Sequence, residues 1–129
     1  MPEYRFAHVH LISADPIKTA EFYEKNLGAQ REAVRKTADG CTNVDLNLGG
    51  TRLQIRQPRP KALLPRDFSP NEGGLEHIGL YTDDFDGSVN ALKANGVLFV
   101  QEVRRMPTHD VAFFLAPENV LVELMSLNK

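Results

Sequence analysis

The sequence has little of what marks secreted, membrane or nucleic-acid-binding proteins. Cys41 is the single cysteine, so no disulfide framework is expected. No apolar run approaches the roughly 20 residues that a membrane-spanning helix needs. Fifteen Lys and Arg against seventeen Asp and Glu give a net charge of -2, without a basic block for nucleic acid. The first ten residues, MPEYRFAHVH, lack the apolar core of a signal peptide, so we expect a cytoplasmic protein.

What is present is the composition of an ordinary globular protein. The 129 residues are 42% hydrophobic and 25% charged, which excludes a disordered chain. This length is close to the commonest domain size, so a single domain spanning 1–129 is expected.

The two halves of the chain repeat one pattern. His8 precedes Asp15 by seven residues (15 − 8), and His77 precedes Asp84 by seven (84 − 77). Each aspartate is suited to cap the N-terminus of an amphipathic helix, and Gly28 is suited to end the first one in a left-handed conformation. A repeat of this kind predicts two copies of one structural unit.

Three short segments with the alternation of β-strands follow each predicted helix. They lie around 30–36, 42–48 and 51–57 in the first half, and around 98–103, 110–115 and 120–126 in the second. We therefore predict an α+β fold of two tandem βαβββ modules, 4–57 and 75–127, joined by a proline-rich linker, 58–74. One helix covers one face of each module, which leaves the other faces to form a curved mixed sheet around a metal-binding cavity.

Strand alternation places four potential metal ligands on the uncovered faces. They are His8, Gln54, His77 and Glu123. The spacing from His8 to Gln54 is 46 residues (54 − 8), and that from His77 to Glu123 is also 46 (123 − 77). Equivalent positions of the two modules thus each carry a ligand. The ligands of a module can meet only if its first and last strands are neighbours.

Three segments together resemble the vicinal oxygen chelate superfamily, which includes glyoxalase I, methylmalonyl-CoA epimerase, extradiol dioxygenases and fosfomycin or bleomycin resistance proteins. They are HVHLISADPIKTAEFYEKNLGA, LEHIGLYTDDFDGSVNALKANGV and VAFFLAPENVLVELMS. The resemblance covers essentially the whole chain and implies the same four metal ligands. Family habit also implies a homodimer.

The second ligand distinguishes members of the family. Bacterial glyoxalase I enzymes usually have glutamate there, whereas Gln54 is more similar to methylmalonyl-CoA epimerase. The residues before Gly40 depart from that enzyme, because Ala38 and Asp39 stand where its pattern has Glu-Gln. The carboxylate expected to act as an acid or base is therefore missing or displaced by one residue.

Two imidazoles, an amide and a carboxylate suit one divalent ion of Co, Ni, Mn, Fe or Zn, with two positions left for substrate oxygens. A proton carrier is also required. The resemblance to glyoxalase I implies Glu123 in that role, while His10 and Asp45 are alternatives from the predicted faces. For His10, the residue type favours a structural hydrogen-bonding role over that of the base.

Further inward-facing side chains are candidates for substrate contact. Arg52 and Arg56 flank Gln54 and are suited to an anionic group of a small-molecule substrate, although they also fit a solvated rim. Asp45 is also a candidate for substrate contact, and so is Tyr81, which shares the face of His77.

The leading functional hypothesis is a metal-dependent lyase or isomerase that removes a proton beside a carbonyl, of the methylmalonyl-CoA epimerase type. A glyoxalase I type lactoylglutathione lyase is the first alternative. The second is an Fe(II) extradiol-type dioxygenase using His8, His77 and Glu123, and the third is a non-catalytic small-molecule binding or antibiotic resistance protein.

Overall fold

The computed structural model describes residues 1, 3, 5–58 and 74–127. The chain divides into two compact units, Met1–Pro65 and Arg66–Lys129, and each contains one predicted module. Nearly all of the predicted linker lies outside the described residues. Among the described residues, no helix has the length and apolar character needed to cross a membrane.

Module 1 contains one helix and a four-stranded mixed sheet. Its elements are β1 (His8–Ile12), α1 (Pro16–Leu27), β2 (Gln30–Lys36), β3 (Thr42–Leu48) and β4 (Thr51–Arg56). The strand order is β1-β4-β3-β2, with β1 parallel to β4 and the other pairs antiparallel. The first and last strands of the module are therefore neighbours, as the ligand prediction required.

Module 2 repeats this topology with an interrupted edge. Its elements are β5 (Ile78–Thr82), α2 (Phe85–Ala94), β6 (Leu98–Phe99), β7 (Arg104–Arg105), β8 (Asp110–Ala116) and β9 (Val120–Ser126). The order is β5-β9-β8-β6, β5 is parallel to β9, and β7 also pairs with β8. Both modules thus have the predicted α+β design, and each forms its own mixed sheet.

Of the strand expected over 98–103, only β6 forms, and β7 begins one residue after the expected end. Phe99 pairs with Phe114 and Arg104 pairs with Val111, so a step of five residues (104 − 99) stands opposite a step of three (114 − 111). The two extra residues cannot be accommodated in a regular ladder, and they interrupt the strand at the edge of the sheet.

The predicted helix caps are present in both modules. Asp15 accepts a hydrogen bond from the Lys18 amide, and Asp84 accepts one from the Gly87 amide, each at 3.1 Å. Gly28 ends α1 with φ 70°, a conformation that glycine adopts without strain.

A hydroxyl–hydroxyl contact that was not predicted from the sequence repeats beside each cap. The Ser13 hydroxyl lies 2.7 Å from that of Thr19, and the Thr82 hydroxyl lies 2.8 Å from that of Ser88. These pairs join the end of the first strand to the following helix in each module. The signal is a Ser or Thr two residues before the capping aspartate.

The helix packs on one face of each sheet, and the core lies there. In module 1 this core includes Ala20, Tyr23, Val44, Leu46 and Ile55. In module 2 it includes Val89, Leu92, Phe114, Val122 and Leu124. Burial raises the pKa of Tyr23, whose hydroxyl has no partner among the described residues. The opposite face of each sheet carries the predicted ligands.

Candidate functional site

In module 2, the two predicted ligands are in contact. His77 precedes β5, and Glu123 lies on the neighbouring strand β9, directly opposite Gly79. The Nε2 atom of His77 is 3.4 Å from Oε1 of Glu123, and their side chains are 31% and 20% exposed. A histidine and a carboxylate therefore present their donor atoms together at an accessible place.

The second nitrogen of His77 is also occupied by a carboxylate. Its Nδ1 atom lies 3.0 Å from Oε1 of Glu76. When Nδ1 donates its proton to Glu76, Nε2 is left as the unprotonated nitrogen that faces Glu123. Carboxylates orient metal-binding histidines in this way, so the donor set of module 2 fits a divalent ion.

Module 1 has the same register at its pair of predicted ligands. His10 is opposite Gln54 in the β1–β4 ladder, as Gly79 is opposite Glu123. The separation is 44 residues in both (54 − 10 and 123 − 79). His8 therefore has the same place relative to Gln54 as His77 has relative to Glu123.

Each module contributes two of the four predicted ligands. Within the described part of either module, three or more His, Cys, Asp or Glu side chains do not gather into a group suited to a metal. The single site that uses His8, Gln54, His77 and Glu123 together thus remains a prediction.

Asp45, a predicted substrate or proton-transfer residue, lies opposite Gln54 in the β3–β4 ladder. Arg35 donates two hydrogen bonds of 3.1 Å to its carboxylate, and the Asn43 amide donates one of 2.8 Å. Burial alone would raise the pKa of Asp45, but these donors and their charge outweigh it and the pKa is lowered. Asp45 is thus a poor proton acceptor near neutral pH.

Arg56, a predicted anion-binding residue, is already paired. Its side chain is 6% exposed, and its guanidinium contacts both carboxylate oxygens of Asp39 at 2.9 and 3.0 Å. The Thr37 hydroxyl and this guanidinium lower the pKa of Asp39 to about 2. Asp39 adjoins the position of the expected epimerase carboxylate, and its low pKa makes it a weak base.

The remaining predicted residues are accessible. Arg52 is 50% exposed, its ion pair with Glu32 is 3.7 Å long, and its charge also contributes to the lowered pKa of Asp45. Tyr81 is 67% exposed and lies opposite Met125. The rings of His8 and His10 lie edge to face, with centroids 6.1 Å apart.

The two sheet faces that carry the ligands differ in chemistry at equivalent positions. The Gln54 face has five polar residues on β3 and β4: Asn43, Asp45, Asn47, Arg52 and Arg56. The Glu123 face has five apolar residues at the matching places on β8 and β9: Val111, Phe113, Leu115, Leu121 and Met125. The modules therefore share a backbone plan while presenting opposite surfaces.

Three residues near the predicted ligands escaped the sequence analysis. Glu76 orients His77, and the ring of Phe113 meets the His77 ring edge to face at 5.4 Å. Gly79 adjoins Glu123, because a Cβ atom there would be in van der Waals contact with Glu123 Oε1, at 3.5 Å. The sequence segment EHIGL could have indicated the roles of Glu76 and Gly79. The place of Phe113 beside the ligands could be found only from the strand register.

Comparison with known proteins agrees with this architecture. The model of the Glyoxalase/Bleomycin resistance protein/Dioxygenase superfamily matches residues 5–124. The chain belongs to this superfamily. No curated protein sequence matches it.

Solved structures share the fold of this superfamily member. A glyoxylase/bleomycin resistance protein/dioxygenase domain from Frankia sp. EAN1pec has a TM-score of 0.77 at 18% identity, covering 99% of this chain and all of that one. SMU.1112c has a TM-score of 0.73 at 26% identity, covering 95% of this chain and 98% of its own.

A third similar structure contains a metal. It is a variant of the fosfomycin resistance protein FosX from Listeria monocytogenes, in complex with Mn(II) and 1S,2S-dihydroxypropylphosphonic acid. Its TM-score is 0.71 at 20% identity, with 95% of this chain and 92% of that chain covered. At this identity the likeness establishes the fold alone.

Proposed function

We propose that this protein is a divalent-metal-dependent isomerase or lyase that removes a proton beside a carbonyl, with acyl-thioester epimerisation of the methylmalonyl-CoA type as its reaction. The observation that carries the proposal is the chain of contacts from Glu76 through His77 to Glu123, 3.0 and 3.4 Å in length. The matching register of His8 and Gln54 supports the other half of the ligand set.

In this proposal, His8, Gln54, His77 and Glu123 hold one ion of Co, Ni, Mn, Fe or Zn, and 1–129 acts as one domain that forms a homodimer. The bound ion supplies Lewis-acid stabilisation of the negative charge that develops on a carbonyl oxygen. Glu76 fixes the orientation of His77, and Arg52 receives an anionic group of the small-molecule substrate.

The proton carrier in the proposal is Glu123 or His10. Asp39 and Asp45 are poor candidates, because both are ion-paired and both have lowered pKa values. Glu123 lies beside His77, and His10 lies opposite Gln54, so each adjoins a ligand pair. Either residue would place a proton acceptor near the substrate carbon beside the carbonyl, when the substrate oxygens are bound at the ligands.

The ion pair between Arg56 and Asp39 favours a second candidate, a lactoylglutathione lyase of the glyoxalase I type. Because Asp39 is engaged there, the carboxylate left for proton transfer is Glu123, the residue that the resemblance to glyoxalase I implies. Gln54 supports the epimerase instead. The two reactions share the proton-abstraction step and differ in substrate.

Turnover in D₂O tests the proposal. Protein stripped of metal and reloaded with Co, Ni, Mn, Fe(II) or Zn is incubated with methylmalonyl-CoA or with the hemithioacetal of methylglyoxal and glutathione. We expect deuterium at the carbon beside the thioester with one of these substrates, loss of exchange in Glu123→Ala, and retention in His109→Ala. Absence of exchange with every metal, or Fe(II)-dependent oxygen uptake with a catechol, would overturn it.

A further inference from the structure

The two modules differ in how the helix contacts the outer strand of the sheet. In module 1, Arg31 of β2 and Glu24 of α1 form an ion pair of 2.6 Å. In module 2, the ammonium of Lys93 on α2 lies over the ring of Phe99 on β6, 5.5 Å from its centroid. The face of an aromatic ring attracts a cation, but the ring carries no net negative charge that would neutralise it.

These two contacts occupy equivalent places in the repeat. Glu24 and Lys93 each follow the capping aspartate of their helix by nine residues (24 − 15 and 93 − 84). The strand partners of Arg31 and Phe99 each pair in turn with the residue just before a predicted ligand. Module 2 therefore has an uncompensated cation at the place where module 1 has a closed ion pair.

A cavity lies at this place in module 2. It has a volume of about 500 Å³ and is lined by Lys93 and by residues 97–102. This volume is within the range of small-molecule sites. Two apolar side chains of the lining, Leu98 and Val100, are 64% and 47% exposed. A ligand that covers them removes apolar surface from water, which favours its binding.

The cavity carries one side-chain charge of each sign. Lys93 and Glu102 both belong to its lining. Within the part of the chain that the structure describes, neither side chain forms an ion pair, with the other or with a third residue. A ligand that satisfies both charges must itself carry a negative and a positive group.

We propose that this cavity binds a small zwitterion with an apolar body, of the class of apolar α-amino acids. Its carboxylate pairs with Lys93, its ammonium pairs with Glu102, and its apolar body covers Leu98 and Val100. A simple anion would meet the like charge of Glu102, and a simple cation would meet that of Lys93. The site lies within module 2 alone and uses none of the predicted metal ligands.

Four probes test this inference. Phenylalanine, 3-phenylpropionate and 2-phenylethylamine share one ring and differ in their charged groups, whereas glycine has both charges and no ring. Each is titrated into the ¹⁵N-labelled 129-residue protein without added metal, and dissociation constants come from the backbone amide shifts of residues 93 and 97–102.

The expected order of affinity follows from the two kinds of contact. Phenylalanine should bind at least about threefold more tightly than either singly charged analogue, the effect of one exposed ion pair. It should bind at least about tenfold more tightly than glycine, because its ring covers apolar surface.

Variants assign each charge of the ligand to its partner. Lys93→Met should remove the advantage of phenylalanine over 2-phenylethylamine and retain its advantage over 3-phenylpropionate. Glu102→Gln should do the reverse. Lys25→Met, in the last turn of α1, is the matched control and should retain both advantages. All three side chains are exposed, so the fold should tolerate these changes.

Three outcomes would overturn the proposal. The first is equal affinity for phenylalanine and its two analogues, or amide shifts confined to the surroundings of His77 and Glu123. The second is an affinity for phenylalanine that neither Lys93→Met nor Glu102→Gln alters. The third is a failure of every probe to bind, together with a smaller sedimentation coefficient in Leu98→Ser, which would make this edge an interface between copies of the chain.

Discussion

The two modules follow one backbone plan and differ most on the sheet face that the helix does not cover. Each has an aspartate cap at 3.1 Å, a hydroxyl pair beside it and a ladder whose partners are 44 residues apart. On the helix-covered face both modules are apolar. On the other face, polar residues of module 1 replace apolar residues of module 2.

The shared features are those that the fold requires, and the features that differ are side chains whose chemistry can vary with function. Caps and ladder register satisfy backbone groups that the fold cannot leave unpaired, so both copies retain them. Side chains on the uncovered face need not match the apolar surface of the helix, so their chemistry is free to differ. The ligand pairs lie on that variable face, at equivalent positions.

The largest expected effect tests whether the polar network of module 1 is structural. Asp45→Ala removes the partner of the Asn43 amide, which is buried, and should lower the free energy of unfolding by ~1–3 kcal/mol. Glu32→Ala is the control, with a loss of under ~1 kcal/mol, because its ion pair with Arg52 is 3.7 Å long and both side chains are at least 43% exposed. Urea unfolding measures both, and equal losses would contradict a structural role specific to Asp45.

A smaller effect is expected at the place where His10 of module 1 corresponds to Gly79 of module 2. The φ of Gly79 lies outside the left-handed region, so space rather than backbone conformation favours glycine there. A Cβ would lie 3.3 Å from Met125 Cε and 3.5 Å from Glu123 Oε1. A Cβ alone therefore fits with a small movement of Met125, whereas a larger side chain would displace Glu123, a predicted ligand.

Gly79→Leu should therefore weaken Mn(II) binding by about tenfold, the usual cost of disturbing a group that supports a metal ligand, whereas Gly79→Ala should bind Mn(II) nearly as the parent does. Leu80→Val, on the opposite face of the same strand, is a second control and should also bind Mn(II) as the parent does. Unchanged affinity in Gly79→Leu would show that Glu123 does not need this space.

The smallest effect concerns the acid stability of module 1. The pKa of Asp39 is lowered from 3.8 to about 2, chiefly by the Thr37 hydroxyl and also by Arg56. A carboxyl whose pKa is lower in the folded state stabilises the fold above about pH 4, and this contribution is lost as the pH falls towards 2. Asp39→Asn should thus show a shallower fall in thermal midpoint below pH 4 than the parent protein. Parallel curves would contradict the assignment.

The sequence alone predicts the strands and helices whose bounds depend on neighbouring residues of the chain. The strands at 30–36, 42–48 and 120–126 have the predicted bounds. The segment 98–103 was predicted wrongly as one strand, because its interruption depends on the register against β8, which local periodicity does not contain. The family also followed from motif order, and the superfamily match confirms it.

The candidate site was less predictable at its charged residues. Alternation placed Arg56 on the uncovered face, but its pairing with Asp39 depends on the turn that follows β2, which brings together residues 17 apart (56 − 39). The contact between Phe113, on β8, and His77, just before β5, likewise joins distant parts of the chain. Such contacts require the register of the complete sheet.

One titration tests the proposal that His8, Gln54, His77 and Glu123 hold a single metal ion. Metal-free parent protein, His8→Ala and His77→Ala are each titrated with Co(II), with His109→Ala as control. We expect one equivalent per chain for the parent and the control, with strong loss of affinity in both other variants. Full Co(II) binding in either His8→Ala or His77→Ala would rule out the four-ligand site.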